Sequence, residues 1–408
     1  MIESEKDLVV IGGGPAGLLS AISASKNKVD VTLLESKEVI GLHEHCAGLL
    51  SIDGLKSLDL LNLPSDVIQN SEIRGSRLYS PTGKLLVVQK SRPTAWVVNR
   101  ARFDAYLASL ATDLGVDIRT SSRVKQITRQ KESLKYHLGK KSSSSMLSSK
   151  LTILAEGRFP SLNEQIGLPK PSRKDVIFAS QFIMSGVRDI DTELVEIYQY
   201  NSLVPGFFAW IIPINDSTAK VGLGTTIPPA GRKLDDIIRK HPIAKKKLSS
   251  AKIEKRMSGA IPIGSHIKKT FTDNALVVGD AAGQTKPTTG GGVIFGGLAA
   301  KIAGEVVGKA LEKNDFSSRF LSQYERKWKK EFGFNLKIMK IVRNYLNSLN
   351  DDYVEKLFTK LNKPKIKEKI SKFGDVDEQA KIVFRLLSNL SLWPFVIGTG
   401  MRFLFKKN

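Results

Sequence analysis

A single cysteine, Cys46, stands among the 408 residues, so no intramolecular disulfide can form and the core alone must hold the fold. That suits a reducing compartment, and a cytoplasmic protein is expected. Acidic residues are scarce as well: 40 Asp and Glu face 63 Lys and Arg, a formal net charge of +23. Such an excess favours anionic partners, among them a phosphorylated substrate or an anionic membrane surface. Nucleic acid is not expected among them, because the cations are dispersed and no helix-turn-helix, zinc-finger or RNA-binding signature occurs. No secretory leader is expected: Glu3, Glu5 and Asp7 sit where a basic and then an apolar stretch would be, so the chain is expected to begin at or near Met1. Long apolar runs are missing too. The best candidate, Leu386 to Phe405, contains Ser388, Asn389, Ser391 and Arg402 and is broken by Pro394, Gly398 and Gly400. It falls short of the roughly 20 apolar residues that a spanning helix needs. Its Leu392, Trp393, Phe395 and Phe403 beside Arg402, Lys406 and Lys407 suit either peripheral membrane association or a helix docked on the protein's own core.

What the chain does have is a glycine-rich turn in a specific setting. The apolar run Leu8-Val9-Val10-Ile11 leads into Gly12-Gly13-Gly14-Pro15-Ala16-Gly17, which opens onto the apolar-periodic stretch Leu18 to Ala24. Strand, tight turn and helix N-terminus follow one another, as the diphosphate of a dinucleotide requires. Gly12 permits the turn, Gly14 lets the backbone approach phosphate, and Gly17 lets the helix pack on the sheet. The unpaired N–H groups and the positive end of the helix that Pro15-Ala16-Gly17 opens would receive the charge. A second strand, Val29 to Leu34, ends at Glu35 and Ser36, at the offset of about 20 residues where an acid grips the adenosine ribose.

Much later, Ala275-Leu276-Val277-Val278 reads as a buried strand that runs into Gly279-Asp280. This pattern resembles the second fingerprint of FAD enzymes, whose aspartate binds the flavin ribitol. Gly290-Gly291-Gly292 then opens a long small-residue helix from Val293 to Leu311, whose N-terminus would face the flavin edge that gains negative charge on reduction. Arg100, Phe103 and Asp104 resemble the R-x-x-F-D segment of the same families, which places Arg100 near the diphosphate. The same resemblance implies cofactor contacts from Cys46, Ala47, Gly48, Val124, Glu156 and Gly157. FAD rather than NAD is the expected cofactor.

The fold class that follows is α/β: a Rossmann-like FAD-binding domain of the hydroxybenzoate-hydroxylase-like kind, with an inserted antiparallel-sheet substrate domain and a helical C-terminal region. The expected boundaries are residues 1–160 and 271–312 for the FAD-binding domain, 161–270 for the inserted sheet, and 313–408 for the helical, basic region with its membrane contact. Strand-like runs at Phe178 to Val187, Leu194 to Tyr200, Phe207 to Ile214 and Lys220 to Thr226 build the inserted sheet. The tract Ser142 to Ser145 reads as an exposed hairpin turn.

The loop after Glu35 carries His43-Glu44-His45-Cys46-Ala47-Gly48-Leu49-Leu50-Ser51. Here the sequence resembles the archaeal geranylgeranyl reductase family, flavoproteins that saturate the isoprenoid chains of membrane lipids. The matching positions are Cys46, Gly48, Leu50 and Ser51. A second family-like segment runs from Pro205 to Pro213 and is followed by Gly222-Leu223-Gly224. The family often has Tyr and Phe where this chain has Phe208 and Ile212, so a phenol hydrogen bond is absent. Consecutive loop residues do not readily face one ion, so no metal site is expected from His43 to Cys46.

The resemblance implies a geranylgeranylated glycerophospholipid or a geranylgeranyl diphosphate-type substrate. Saturating an isolated alkene needs a hydride on one carbon and a proton on the other, with no carbonyl to polarise the bond. Cys46 is then the candidate catalytic residue, as a positioner or proton relay. Phe207, Phe208, Trp210, Ile212 and Pro213 are candidates for an apolar substrate wall. An apolar strand is by default core, so part of that set is expected to face away from a ligand. No second dinucleotide turn is visible, so the electron donor is a docked NAD(P)H or a small redox protein such as ferredoxin. Two rivals remain open. Phe208 to Pro213 is close to the W-x-W-x-I-P element of flavin halogenases, although the first tryptophan is missing and Glu156-Gly157 replaces the Asp-Gly of related monooxygenases. A non-catalytic, membrane-bound flavoprotein is the other.

Overall fold

The computed structural model describes residues 5–42, 46–139, 147–373, 377 and 383. The Ser142 to Ser145 turn, the His43-Glu44-His45 stretch and the Leu386 to Phe405 segment lie outside the described residues. With elements numbered in chain order, the chain divides into two compact units: residues 1–44, 100–175 and 262–336 form the first, and residues 45–99, 176–261 and 337–408 the second.

The first unit is built on a mainly parallel sheet. β1 (Lys6–Ile11) pairs in parallel with β2 (Val31–Leu34) on one side and β11 (Leu147–Leu154) on the other. β8 (Asp117–Arg119) extends the sheet beyond β2, and β18 (Ala275–Val277) with β17 (Phe271–Thr272) extends it beyond β11. β9 (Val124–Arg129) and β10 (Leu134–Leu138) form a hairpin, which joins the sheet through β11. Leu8, Val9, Val10, Ile153 and Leu154 are wholly buried, as near-continuous apolar runs in a parallel sheet must be.

Two helices of this unit pack through small residues. α1 (Pro15–Lys26) lies along α6 (Val293–Lys313). A methyl group on Gly304 would come within 2.5 Å of Ser23, and one on Gly308 within 2.8 Å of Asn27. The Ser23 hydroxyl donates to the Lys301 carbonyl at 2.7 Å and ties the pair. At the leading ends, Ala16 touches both Gly279 and Gly296, so the two glycine-rich turns, far apart in sequence, meet in space. α3 (Arg100–Asp113) and α7 (Ser318–Trp328) complete the unit, and the wholly buried Trp328 donates its indole N–H to Thr270.

The second unit holds a seven-stranded sheet in the order β16 (Lys252–Pro262), β12 (Val176–Ser185), β15 (Thr218–Thr225), β14 (Ala209–Pro213), β13 (Leu194–Tyr198), β5 (Gly75–Tyr79) and β6 (Leu85–Gln89). β12 with β15, β15 with β14, β14 with β13 and β5 with β6 pair antiparallel, whereas β13 pairs with β5 in parallel. α4 (Ala230–Lys240) and α5 (Pro242–Leu248) cover one face, where Ala209, Ile211, Val221, Leu223, Phe182 and Leu234 form a core. A small sheet of β3 (Leu49–Ser51), β7 (Ala95–Val98) and β4 (Ile68–Ile73), the short α2 (Ile52–Ser57), and the C-terminal α8 (Phe334–Ser348), α9 (Asp351–Leu361) and α10 (Pro364–Phe373) supply the remaining regular elements of the unit, α8 starting in the first.

The boundaries differ from the sequence expectation in one important respect. Residues 45–99, expected in the FAD-binding domain, belong to the second unit, because β5 registers residue for residue with β13, from Leu194 opposite Gly75 to Tyr198 opposite Tyr79. The breaks expected at 160, 270 and 312 fall at 175, 261 and 336. None of the helices among the described residues is long and apolar enough to cross a membrane.

Candidate functional site

In the first unit the glycine turn is shaped by the end of β11. Gly12 has φ +113°, and a Cβ there would lie 2.3 Å from the Ala155 carbonyl oxygen. A Cβ on Gly17 would lie 1.9 Å from the Gly12 oxygen, so α1 can start only where both residues are glycine. Gly14 is the opposite case. It caps α1 ahead of Pro15, and nothing stands within 4 Å of where its Cβ would be. Two glycines are thus required by the protein's own packing, whereas the third leaves open space at a helix N-terminus.

Glu35, at the end of β2, accepts a hydrogen bond from the Gly13 amide at 2.6 Å. Its other oxygen accepts from the Lys37 amide at 2.8 Å and from the Ser36 hydroxyl at 3.1 Å. The acid expected to grip the adenosine ribose is thus tied to the glycine turn by one of its oxygens. Arg100 opens α3 and grips Asp104 one turn later, at 2.9 Å, with its guanidinium 5.9 Å from the ring centre of the wholly buried Phe103. Burial pushes the Asp104 carboxyl up, against the pull of Arg100.

The second turn is braced by residues that sequence reasoning missed. The Gln284 side chain accepts from the Gly279 amide at 2.7 Å and donates to Tyr324, whose hydroxyl donates to the Val277 carbonyl at 2.8 Å. This holds the strand end from which Asp280 projects. Thr285 donates to Asp280 at 2.8 Å, and a Cβ on Gly292, the residue before α6, would lie 2.7 Å from the same carboxylate oxygen. Burial pushes the Asp280 carboxyl above the ordinary carboxylate range, while the Thr285 bond and the charges of Arg100 and Arg158 oppose the rise. Asp280, Arg100 and the α1 and α6 N-termini thus converge within one unit. Gly290 has φ +73°, Gly291 lies against the Lys286 side chain, and Val293 is the first residue of α6.

Two expected contacts have other work for their side chains. The Glu156 carboxylate accepts from Ser161 and from the Leu162 amide at 2.9 Å, so it ties its own loop, while Gly157 beside it has φ +81° with open space around its Cβ position. The Val124 side chain is buried in the core with Ile127 and Tyr136, leaving only its backbone to meet a ligand.

In the second unit, four of the five expected wall residues lie on the sheet face opposite α4 and α5. Trp210 pairs with Gly222 and Ile212 with Lys220. A Cβ on Gly222 would stand 2.6 Å from the Trp210 ring, and one on Gly224 would stand 2.8 Å from Phe207. The Gly222-Leu223-Gly224 motif therefore makes room for two aromatic rings while Leu223 points into the core behind. Phe207 stacks on Phe208 at 4.3 Å, and the edge of Trp210 meets Phe208 at 6.0 Å. The Trp210 N–H donates to Gln181 at 3.0 Å. The Arg343 guanidinium from α8 lies 4.5 Å from the centre of Phe207 and 5.5 Å from that of Phe208. Burial pulls its pKa down to about 9. Pro213 follows Ile212 in β14, opposite Ala219, and its carbonyl accepts from Asn70.

Cys46 is half-buried, and its sulfur accepts from the Gly48 amide at 3.4 Å. Gly48 has φ +74°, and Ala47 lies between the two. Ser51 caps α2 through the Gly54 amide at 3.2 Å and also donates to Asp377. Among the described residues no cluster of His, Cys, Asp and Glu could hold a metal ion.

The family model described as FAD binding domain matches residues 5–299. The chain is 34% identical over 360 residues to the digeranylgeranylglycerophospholipid reductase of Methanococcus vannielii, covering 86% of this chain and 89% of that one. It is similar to the crystal structure of a geranylgeranyl bacteriochlorophyll reductase-like protein from Thermoplasma acidophilum, with a TM-score of 0.82, 25% identity, and coverage of 94% of this chain and 99% of that one. A flavin-dependent brominase shares the fold at a TM-score of 0.72 and 20% identity, over 94% of this chain and 98% of its own.

Proposed function

We propose that this chain, which belongs to the digeranylgeranylglycerophospholipid reductase family of FAD-binding proteins, saturates the C=C bonds of geranylgeranyl chains in isoprenoid glycerophospholipids. The observation that carries the proposal is that the same chain holds an open glycine cradle, in its first unit, and an aromatic wall, in its second. The open space at Gly14, next to the amides that start α1, fits a diphosphate. Glu35 and Asp280 fit ribose and ribitol hydroxyls as acceptors, and Arg100 adds positive charge. When bound and reduced, FAD supplies a hydride to one alkene carbon.

The protein's own residues have three further tasks. They must hold a flexible hydrocarbon in one pose, keep water away, and bring a proton to the second alkene carbon. Phe207, Phe208, Trp210 and Ile212 on one sheet face, spaced by two glycines, suit the first two tasks. Cys46 suits the third, as proton relay or as positioner of the alkene. The excess of Lys and Arg supports binding of the anionic headgroup and work at an anionic membrane surface from the cytoplasmic side. The electron donor is NAD(P)H or a small redox protein such as ferredoxin.

Anaerobic mixing of the photoreduced protein with geranylgeranyl lipid tests the reading. Re-oxidation of the flavin by lipid alone supports it, whereas re-oxidation that waits for oxygen would place the chain with the hydroxylating or halogenating relatives of its fold.

A further inference from the structure

Lys220 is wholly buried, in a strand where its cross-strand neighbours are Ile183 on β12 and Ile212 on β14. An ammonium is costly in such a place, and packing alone would favour another aliphatic residue. Its Nζ donates to the carbonyl of Val98, the last residue of β7, at 3.0 Å. The Val98 amide in turn donates to the Gly48 carbonyl at 2.8 Å. A Cβ on Gly48 would lie 2.2 Å from the Val98 oxygen and 3.2 Å from the Lys220 nitrogen, so the loop is pressed directly onto this contact. The Gly48 amide then reaches the Cys46 sulfur at 3.4 Å. A chain of three hydrogen bonds runs from a lysine on the face that carries Trp210 and Ile212 to the one thiol in the protein.

We propose that Lys220 is a positioning residue for alkene reduction: by holding Val98 and Gly48 it fixes where the Cys46 thiol stands. The proposal rests on the reading that Cys46 serves the reaction. A charge-assisted hydrogen bond in a dry site fixes position more tightly than a neutral one, which accounts for a cation where an apolar residue would pack as well.

The test uses the FAD-loaded protein and compares Lys220→Met with wild type by iodoacetamide labelling of Cys46, well below the melting temperature, alongside steady-state reduction of geranylgeranyl lipid. Lys220→Met is expected to label several-fold faster and to lose roughly tenfold to a hundredfold in kcat with little change in KM, the scale of one lost hydrogen bond to a charged group. Gly48→Ala strains the same contact from the other side and should give the same pattern, with the double variant no worse than either single one. It also serves where Lys220→Met fails to fold. Unchanged labelling in both variants overturns the positioning role. Faster labelling with unchanged kcat keeps the mechanical link but overturns its part in the reaction. Cys46→Ala separates the two readings, since full activity there removes the thiol's role whatever Lys220 does.

Discussion

Gly222→Ala places a methyl group 2.6 Å from two carbons of the Trp210 ring and 2.8 Å from its nitrogen. Ordinary contact begins near 3.4 Å, so the indole must retreat by about 0.8 Å, the difference of those two distances. Overpacking of this size in a filled site costs about 1–3 kcal/mol. The retreat also strains the bond from the Trp210 N–H to Gln181, and losing a buried bond adds about 1–3 kcal/mol. For a folding unit of this size the sum, about 2–6 kcal/mol, corresponds to a fall in melting temperature of roughly 4–24 °C. Differential scanning calorimetry and tryptophan emission report the two consequences separately, while flavin absorbance reports whether the first unit still binds FAD. The expected result is a lower melt, a shifted emission, retained flavin and impaired lipid reduction. Combining the change with Trp210→Phe, which removes the encroached nitrogen and shortens the ring, should recover part of the loss. A Gly222→Ala protein that melts within about 2 °C of wild type with unchanged emission would refute the argument that this glycine exists to seat the ring.

Four further outcomes follow from the same geometry. Asp280→Asn should weaken FAD binding roughly tenfold or more, as expected for loss of a charged hydrogen-bond acceptor, measurable by titration of the apoprotein. Because burial raises the folded carboxyl's pKa, the charged form burdens the fold above that value, so at pH 8 the flavin-free Asn variant should melt at least as high as flavin-free wild type. Gly17→Ala, with its methyl 1.9 Å from the Gly12 oxygen, should yield protein without bound flavin, seen in the visible spectrum of the purified material. His241 is held neutral by burial, with its pKa lowered, while it contacts the Ser80 carbonyl and accepts from the Ala244 amide. Stability should therefore be full above the unfolded value of about 6.5 and decline as pH falls below it, and His241→Gln should flatten that slope in melts from pH 7.5 to 5. Cys46→Ser, which keeps a hydroxyl able to donate, should retain more alkene reduction than Cys46→Ala at equal flavin content, assayed by lipid chromatography.

The elements of the nucleotide cradle were legible because they are local. Gly12, Gly14 and Gly17 lie within one turn, and Glu35 lies one strand further on, so spacing alone placed them on a strand end and a helix start. The meeting of the two fingerprints was legible as a resemblance, and Ala16 against Gly279 and Gly296 gives its physical basis. What depended on strand register was not legible. Residues 45–99 were misplaced because β5 finds its partner β13 more than 100 positions away, across an intervening unit. Gly222 and Gly224 were visible as a motif without a reason until the pairing set Trp210 and Phe207 over them. Lys220 was invisible for the same cause: in an alternating strand a lysine reads as solvent-facing, and only the neighbouring β7 makes it a buried donor. Val124, expected at the cofactor, has its side chain in the core, which leaves its backbone for that contact. Gln284 and Tyr324 carried no pattern at all, because bracing a turn requires only a donor or an acceptor at the right place.

The proposed function requires transfer of hydrogen from the reduced, flavin-loaded protein to a geranylgeranyl lipid. Incubating the anaerobically reduced protein with digeranylgeranylglycerophospholipid and reading the lipid by mass spectrometry measures that transfer directly. The mass should rise by one hydrogen pair for each bond saturated, without oxygen, and the rise should disappear when FAD is removed. Lipid recovered at its starting mass from fully reduced, FAD-loaded protein would contradict it.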